Sequence, residues 1–173
     1  CIVDGDIYIK PTAPNIFDEI TGYEFAAVAE RDMPLTPRHA KKIKKYSHGQ
    51  YDRLRDEADF RWNDLGAEFY NMGLMLMNSS IKDRLRGQTP SEFLRRAEFK
   101  RFIDGVGNWR WSSDQTLLNY WVKKDQINTR NLDWRWNALY RGVRDECLKD
   151  AYFVHFFLSV YIDQPIENII AKL

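Results

Sequence analysis

Only two cysteines, Cys1 and Cys147, occur in 173 residues, one at the first position and one in the C-terminal third. That excludes a disulfide framework and leans towards a reducing, cytoplasmic compartment. An excess of charge is lacking too, since 26 Lys plus Arg face 25 Asp plus Glu for a formal net charge of +1. Nothing in that balance calls for a polyanion, so no nucleic-acid partner is expected and any anion must be bound locally. No apolar run approaches the ~20 residues of a membrane helix. The longest, Ala151 to Ile162, contains His155 and reads as a buried strand. No basic-then-apolar leader opens the chain, so no signal peptide is expected. The chain begins instead inside an apolar stretch, Cys1-Ile2-Val3, and further sequence is expected before Cys1. Internal repeats and low-complexity segments are also lacking.

Apolar material is plentiful. Hydrophobic residues make up 44% of the chain, with ten Phe, nine Tyr and six Trp, enough for one core and too little for two. A single domain over residues 1–173 is expected. Residues 1–9 read as a short strand ending at Lys10-Pro11. A short helix is expected from Asn15 to Ile20, and a buried strand from Tyr23 to Ala29. Thr36-Pro37 is an N-cap with proline at the first helical position. It opens a basic segment holding Lys41, Lys42, Lys44 and Lys45, and residues 36–66 read as helical excursions on the surface.

Residues 68–78 are apolar on both faces, as in a central strand covered by helices. Thr89-Pro90-Ser91-Glu92 is a capping box, and the helix after it carries an apolar stripe of Phe93, Leu94, Ala97 and Phe102 that ends at Gly105. Ser112 with Gln115 is a second candidate box, for a helix running to about Lys124. Residues 131–140 are irregular and aromatic, and Tyr152 to Phe157 is the last strand candidate. The order strand, strand, helical insertion, strand, helices, strand is that of a three-layer α/β domain with a mixed sheet. Ligands of such sheets sit off the strand ends.

Five patches could carry chemistry. Asp4-Gly5-Asp6 lies at or near the end of the first strand, where alternation points both carboxylates to one side. Hard divalent cations take such oxygens and share their shell with phosphate, while Gly5 lets a diphosphate approach the backbone. A plain Asp-Gly turn is the competing reading. Asn71, at the start of the 68–78 strand, could hydrogen-bond a sugar hydroxyl or be satisfied by backbone. Asp114-Gln115 stand at a helix N-terminus, as site residues or as a cap. Trp136-Asn137 sits in the irregular aromatic stretch. His155 is flanked by apolar residues, where a lone histidine is usually a hydrogen-bonded core residue. The lysines at 41–45 read as a solvated helix face. Trp109, Trp111, Trp134 and Trp136 read equally as sugar-stacking platforms and as core.

In this order, Asp4-Gly5-Asp6, Asn71-Met72-Gly73, Asp114-Gln115 with Asn119, Trp136-Asn137 and Val154-His155-Phe156 resemble the family 8 glycosyltransferases and their GT-A-fold relatives, over nearly the whole chain. The resemblance implies a GT-A-like mixed sheet flanked by helices, lacking the N-terminal nucleotide-binding βαβ segment. It implies a nucleoside-diphosphate-sugar donor, UDP-sugar by resemblance, a hydroxyl acceptor and retention at the anomeric carbon. Asp4, Asp6 and His155 would then hold Mn²⁺ or Mg²⁺ against the donor diphosphate beside Gly5. Asn71, Asp114 and Gln115 would line the sugar and acceptor site, with Asp114 and Gln115 nearest the reacting centre. If transfer inverts, Asp114 is the first candidate for general base. The chain departs from the family pattern after His155, where Phe156-Phe157-Leu158-Ser159-Val160-Tyr161 contains neither the glycine nor the lysine expected. Two other functions fit the same residues, a metal-dependent nucleotidyltransferase and a degenerate carbohydrate-binding domain.

Overall fold

The computed structural model describes residues 1–109, 112–157, 162 and 164–173, with the Asn108 side chain left out. Strands β1 (Ile2–Val3), β2 (Ile7–Ile9) and β3 (Phe25–Ala29) precede helix α1 (Pro37–Tyr51). Strand β4 (Tyr70–Met77) is followed by α2 (Ile81–Leu85), α3 (Pro90–Leu94), α4 (Lys100–Ile103) and α5 (Asp114–Lys124). The C-terminal third holds β5 (Thr129–Asn131), β6 (Ala138–Leu139), β7 (Phe153–His155) and α6 (Ile166–Ile170). Two mixed sheets result, one in the order β1-β4-β3-β5 and a smaller one in the order β2-β7-β6.

The expected strand over residues 1–9 is therefore two strands in two sheets. β1 pairs with β4, β2 pairs with β7, and Asp4-Gly5-Asp6 is the turn where the chain changes sheet. The carboxylates thus lie at a crossing between sheets rather than along one strand.

β3 and β4 are buried on both faces, as their unbroken apolar composition requires, and they divide the core. Phe25, Ala27, Tyr70 and Met75 face a cluster completed by α1, α3 and α5. Ala26, Val28, Leu74 and Leu76 face a second cluster completed by the smaller sheet, by short 3-10 helices and by α6. Helices therefore cover one face, while the small sheet covers most of the other. Between the two, β4 is irregular. Ala26 stands opposite Leu76 but Val28 stands opposite Asn71, a register slip centred near Gly73. Such bulges re-aim side chains locally, and the site is built around this one.

The caps explain the helix starts. The Thr36 hydroxyl accepts from His39 N–H, with Pro37 in the first turn, and Thr89 with Glu92 forms the reciprocal box before α3. The second box is shifted by one residue from the expected Ser112–Gln115 pair. Ser113 caps α5, and its partner is Thr116. The helix expected to run on to Gly105 breaks after Leu94 into a 3-10 turn and α4. The break lets Phe99 enter the core while Leu94 stays exposed. The 36–66 segment is less superficial than its polarity implies, because Ile43, Tyr51, Leu54 and Phe60 are buried. Trp109 and Trp136 are core residues, Trp134 packs against the second cluster half-buried, and Trp111 lies outside the described residues.

Candidate metal and sugar-transfer site

The turn and the two sheets bring the ends of the chain together. Asp4 N–H donates to the Gly73 carbonyl at 2.8 Å, and Phe156 N–H donates to the Asp6 carbonyl at 2.9 Å. Asp4 is thus tied to the bulge of β4 and Asp6 to the end of β7. One ligand atom from each of Asp4, Asp6 and His155 lies within 4.8 Å of the others. His155 Nε2 is 3.2 Å from Asp6 Oδ1 and 4.0 Å from Asp4 Oδ2. His155 is buried, Asp6 half-buried and Asp4 exposed, so the cluster opens from the core to solvent.

The imidazole is gripped from behind. His155 Nδ1 is 3.1 Å from Asn137 Oδ1, Asn137 Nδ2 donates to Asn71 Oδ1 at 3.0 Å, and Asn71 Nδ2 donates to Glu30 Oε1 at 2.8 Å. Gly73 N–H adds a second donor to Asn71 Oδ1 at 3.0 Å. Gly73 also supplies room. A β-carbon there would lie 2.4 Å from His155 Cε1 and 2.9 Å from Nδ1, so only glycine lets the ring sit against the bulge. Burial pushes the His155 ring below its ordinary pKa of 6.5, opposed by Asp6, Asp4 and Glu30. The ring is therefore a neutral imidazole near pH 7, with a lone pair to offer.

A cavity of about 530 Å³ opens beside the cluster, lined by Asp4, Asn71, Gly73, Asp114, Gln115 and His155. Of the residues singled out in the sequence, Asp4, Asn71, Asp114, Gln115 and His155 line one space, while Gly5 and Asp6 lie in the turn at its edge and Asn119, Trp136 and Asn137 lie outside the lining. Gln115 Oε1 accepts from Met72 N–H at 3.2 Å, and its Nε2 lies 3.5 Å from the Tyr46 hydroxyl. The amide therefore joins α5 to β4 and α1. Asp114 is exposed in the first turn of α5, with Oδ1 accepting from Gln115 N–H at 2.8 Å. Its other oxygen has no protein partner among the described residues. Asn71 is more heavily engaged than a sugar ligand needs to be, keeping one amide proton uncommitted among the described residues. Asn119 serves structure, accepting from Tyr70 N–H and donating to Tyr70 O.

Sequence reasoning did not find the opposite wall. His39, Lys42, Ile43 and Tyr46 of α1 line the cavity, and their spacing of i, i+3, i+4 and i+7 is that of one helix face. Glu30 lines it too, and His39 Nε2 lies 3.8 Å from Glu30 Oε2 without a hydrogen-bond partner among the described residues. The helical spacing was the available signal, masked by the lysines around it. Lys41, Lys44 and Lys45 are solvated as read, whereas Lys42 stands on the cavity rim.

The three candidate ligands fit a divalent cation chemically. Two carboxylates suit Mg²⁺ and Mn²⁺, and the imidazole tilts the set towards Mn²⁺. Among the described residues no helix is long and apolar enough to cross a membrane.

Compared by sequence, the chain matches no family model and no curated protein. Compared by shape, it is similar to the crystal structure of mouse xyloside xylosyltransferase 1 in its apo form, with a TM-score of 0.52 and 14% identity. The match covers 92% of this chain and 58% of that one, so the chain spans little more than half of its structural neighbour. At this identity the likeness establishes the fold, which is an α/β architecture of mixed sheets flanked by helices, similar to that of a GT-A glycosyltransferase.

Proposed function

We propose that this chain forms the cation-binding and acceptor-side part of a glycosyltransferase that moves a sugar from a nucleoside-diphosphate sugar, a UDP-sugar, to an acceptor hydroxyl. The observation that carries the reading is the convergence of Asp4, Asp6 and His155 within 4.8 Å on the edge of a cavity lined by Asp114, Gln115 and Asn71. Asp4 and Asp6 contribute carboxylate oxygens and His155 contributes Nε2. A bound Mn²⁺ or Mg²⁺ supplies Lewis-acid stabilisation of the charge that develops on the departing diphosphate. Gly5, without a side chain, lets that diphosphate come close to the turn.

The remaining groups orient and desolvate the substrates. Asn71 has one amide proton left for a donor hydroxyl. Gln115, fixed by Met72 and Tyr46, presents a set geometry rather than a flexible amide. The open oxygen of Asp114 orients an acceptor hydroxyl, and in an inverting transfer it would take that hydroxyl's proton. Met75, Leu118 and Phe157 in the same lining give the apolar surface on which a pyranose face rests.

The test is UDP release by the full-length protein from a panel of UDP-sugars, with Mn²⁺, with EDTA, and with Asp6→Asn. The reading predicts release from one donor that requires Mn²⁺ and falls at least tenfold in Asp6→Asn. Release from none, or release indifferent to EDTA and to Asp6→Asn, contradicts it. Sugar binding that persists in EDTA without turnover would favour a non-catalytic carbohydrate-binding domain.

A further inference from the structure

We infer that Asn71 and Asn137 are positioning residues that lock His155 in its Nδ1–H tautomer, leaving the Nε2 lone pair for the cation. This rests on the metal site proposed above. The lock has a real competitor. His155 Nε2 lies 3.2 Å from Asp6 Oδ1, near enough for an Nε2–H to donate to that carboxylate and use up the nitrogen that would ligate. Which tautomer forms is decided by what stands behind Nδ1.

The polarity of the chain behind the ring is fixed at its far end by two groups that leave no choice. The Glu30 carboxylate accepts, so Asn71 turns its Nδ2 towards Glu30 Oε1, 2.8 Å away. The Gly73 backbone N–H can only donate, and at 3.0 Å it requires Asn71 Oδ1 on its side. Either constraint alone orients the Asn71 amide, and they agree. Asn71 Oδ1 then demands a donor from Asn137, which is Nδ2 at 3.0 Å. That leaves Asn137 Oδ1 facing His155 Nδ1 at 3.1 Å. An oxygen there needs a proton on Nδ1, and a neutral imidazole has only one proton.

The whole line is buried, with Glu30 8%, Asn71 3%, Asn137 0% and His155 2% exposed. An amide flipped against this order would bury unpaired donors and acceptors, which costs ~1–3 kcal/mol per group. The bulge at Gly73 serves both ends, making space for the ring and donating the N–H that orients Asn71.

The experiment reads the ring nitrogens of His155 by long-range ¹H–¹⁵N NMR in the full, metal-free chain, and Mn²⁺ affinity by titration alongside. The wild type should show protonated Nδ1 and unprotonated Nε2. Asn71→Leu removes the anchor but keeps the volume. It should populate the Nε2–H form and weaken Mn²⁺ binding by about 10–100-fold, the usual consequence of losing a partner behind a metal-binding histidine. A wild-type spectrum with Nε2–H overturns the inference by itself, whether or not Asn71→Leu folds. So does a folded Asn71→Leu with tautomer and affinity unchanged. A Nδ1–H tautomer in a chain that binds no Mn²⁺ would uphold the lock and sink the metal site instead.

Discussion

Gly73 carries no functional group, yet its substitution should be among the most damaging to the site. In Gly73→Ala the new methyl would meet the His155 ring at 2.4 Å, and the ring, hemmed in by Asn137, must tilt away from Asp6. Mn²⁺ affinity should fall by at least tenfold, with a stability loss of ~1–3 kcal/mol from overpacking, both measurable by titration and chemical denaturation. An alanine variant that binds Mn²⁺ normally would show that the close approach is dispensable. Asp114 gives a second contrast at this scale. Because Ser113 is the cap, Asp114 interacts among the described residues with the helix dipole and its neighbour's N–H. Asp114→Asn should therefore cost less than about 1 kcal/mol of stability. Turnover per folded molecule should nonetheless fall at least tenfold, a loss of about 1.4 kcal/mol in transition-state stabilisation, as checked by thermal unfolding beside transfer rates. Normal turnover would leave Asp114 with a structural role alone. The residues that gather at the candidate site could be picked out in the sequence because each belongs to a short chemical pattern. Glu30 and His39 were not, since one buried carboxylate and one helix histidine look like any other until the fold sets them across a cavity.

At the scale of elements, the helix starts were legible wherever the cap is local. Thr36-Pro37 and Thr89 with Glu92 announce themselves within four residues. The Ser113–Thr116 box was missed by one position, because two adjacent serines both precede a partner at the right spacing and only the burial of Thr116 separates them. Ser113→Ala should lower stability by about 1 kcal/mol, seen as a lower denaturation midpoint, and should also loosen α1, whose Tyr46 hydroxyl lies 3.1 Å from Ser113 Oγ. A variant as stable as wild type would return the cap to Ser112. A charged pair ties α2 to the sheet. Glu24, just before β3, takes Arg84 on both oxygens at 2.9 and 2.8 Å and accepts from Asn128 N–H ahead of β5. The Arg84 hydrogen bond, with that of Asn128, pulls the Glu24 carboxyl from its ordinary 4.5 down to about 2. A depressed carboxylate contributes stability that is fully present above pH 4.5 and is lost as pH falls through about 2. Glu24→Gln should therefore flatten the acid limb of stability against pH between those values. An unaltered acid limb would show that the pair is too solvated to matter.

For the whole molecule, the α/β class and the central strands followed from apolar runs and their spacing, but the division into two sheets did not. The strand propensity of residues 1–9 is continuous, and only pairing with β4 on one side and β7 on the other splits it at Asp4-Gly5-Asp6. β5 and β6 are three and two residues long, too short for any alternation to register. The same crossing of sheets brings carboxylates from the start of the chain to a histidine near its end, so the metal-site claim depends on the global fold. Titration of the purified chain with Mn²⁺, followed by electron paramagnetic resonance of the free ion, tests that claim most directly. One Mn²⁺ per chain is predicted for the wild type, lost in Asp6→Asn and in His155→Leu while both variants keep a cooperative unfolding transition. No binding by the wild type, or binding that survives both substitutions, would contradict it.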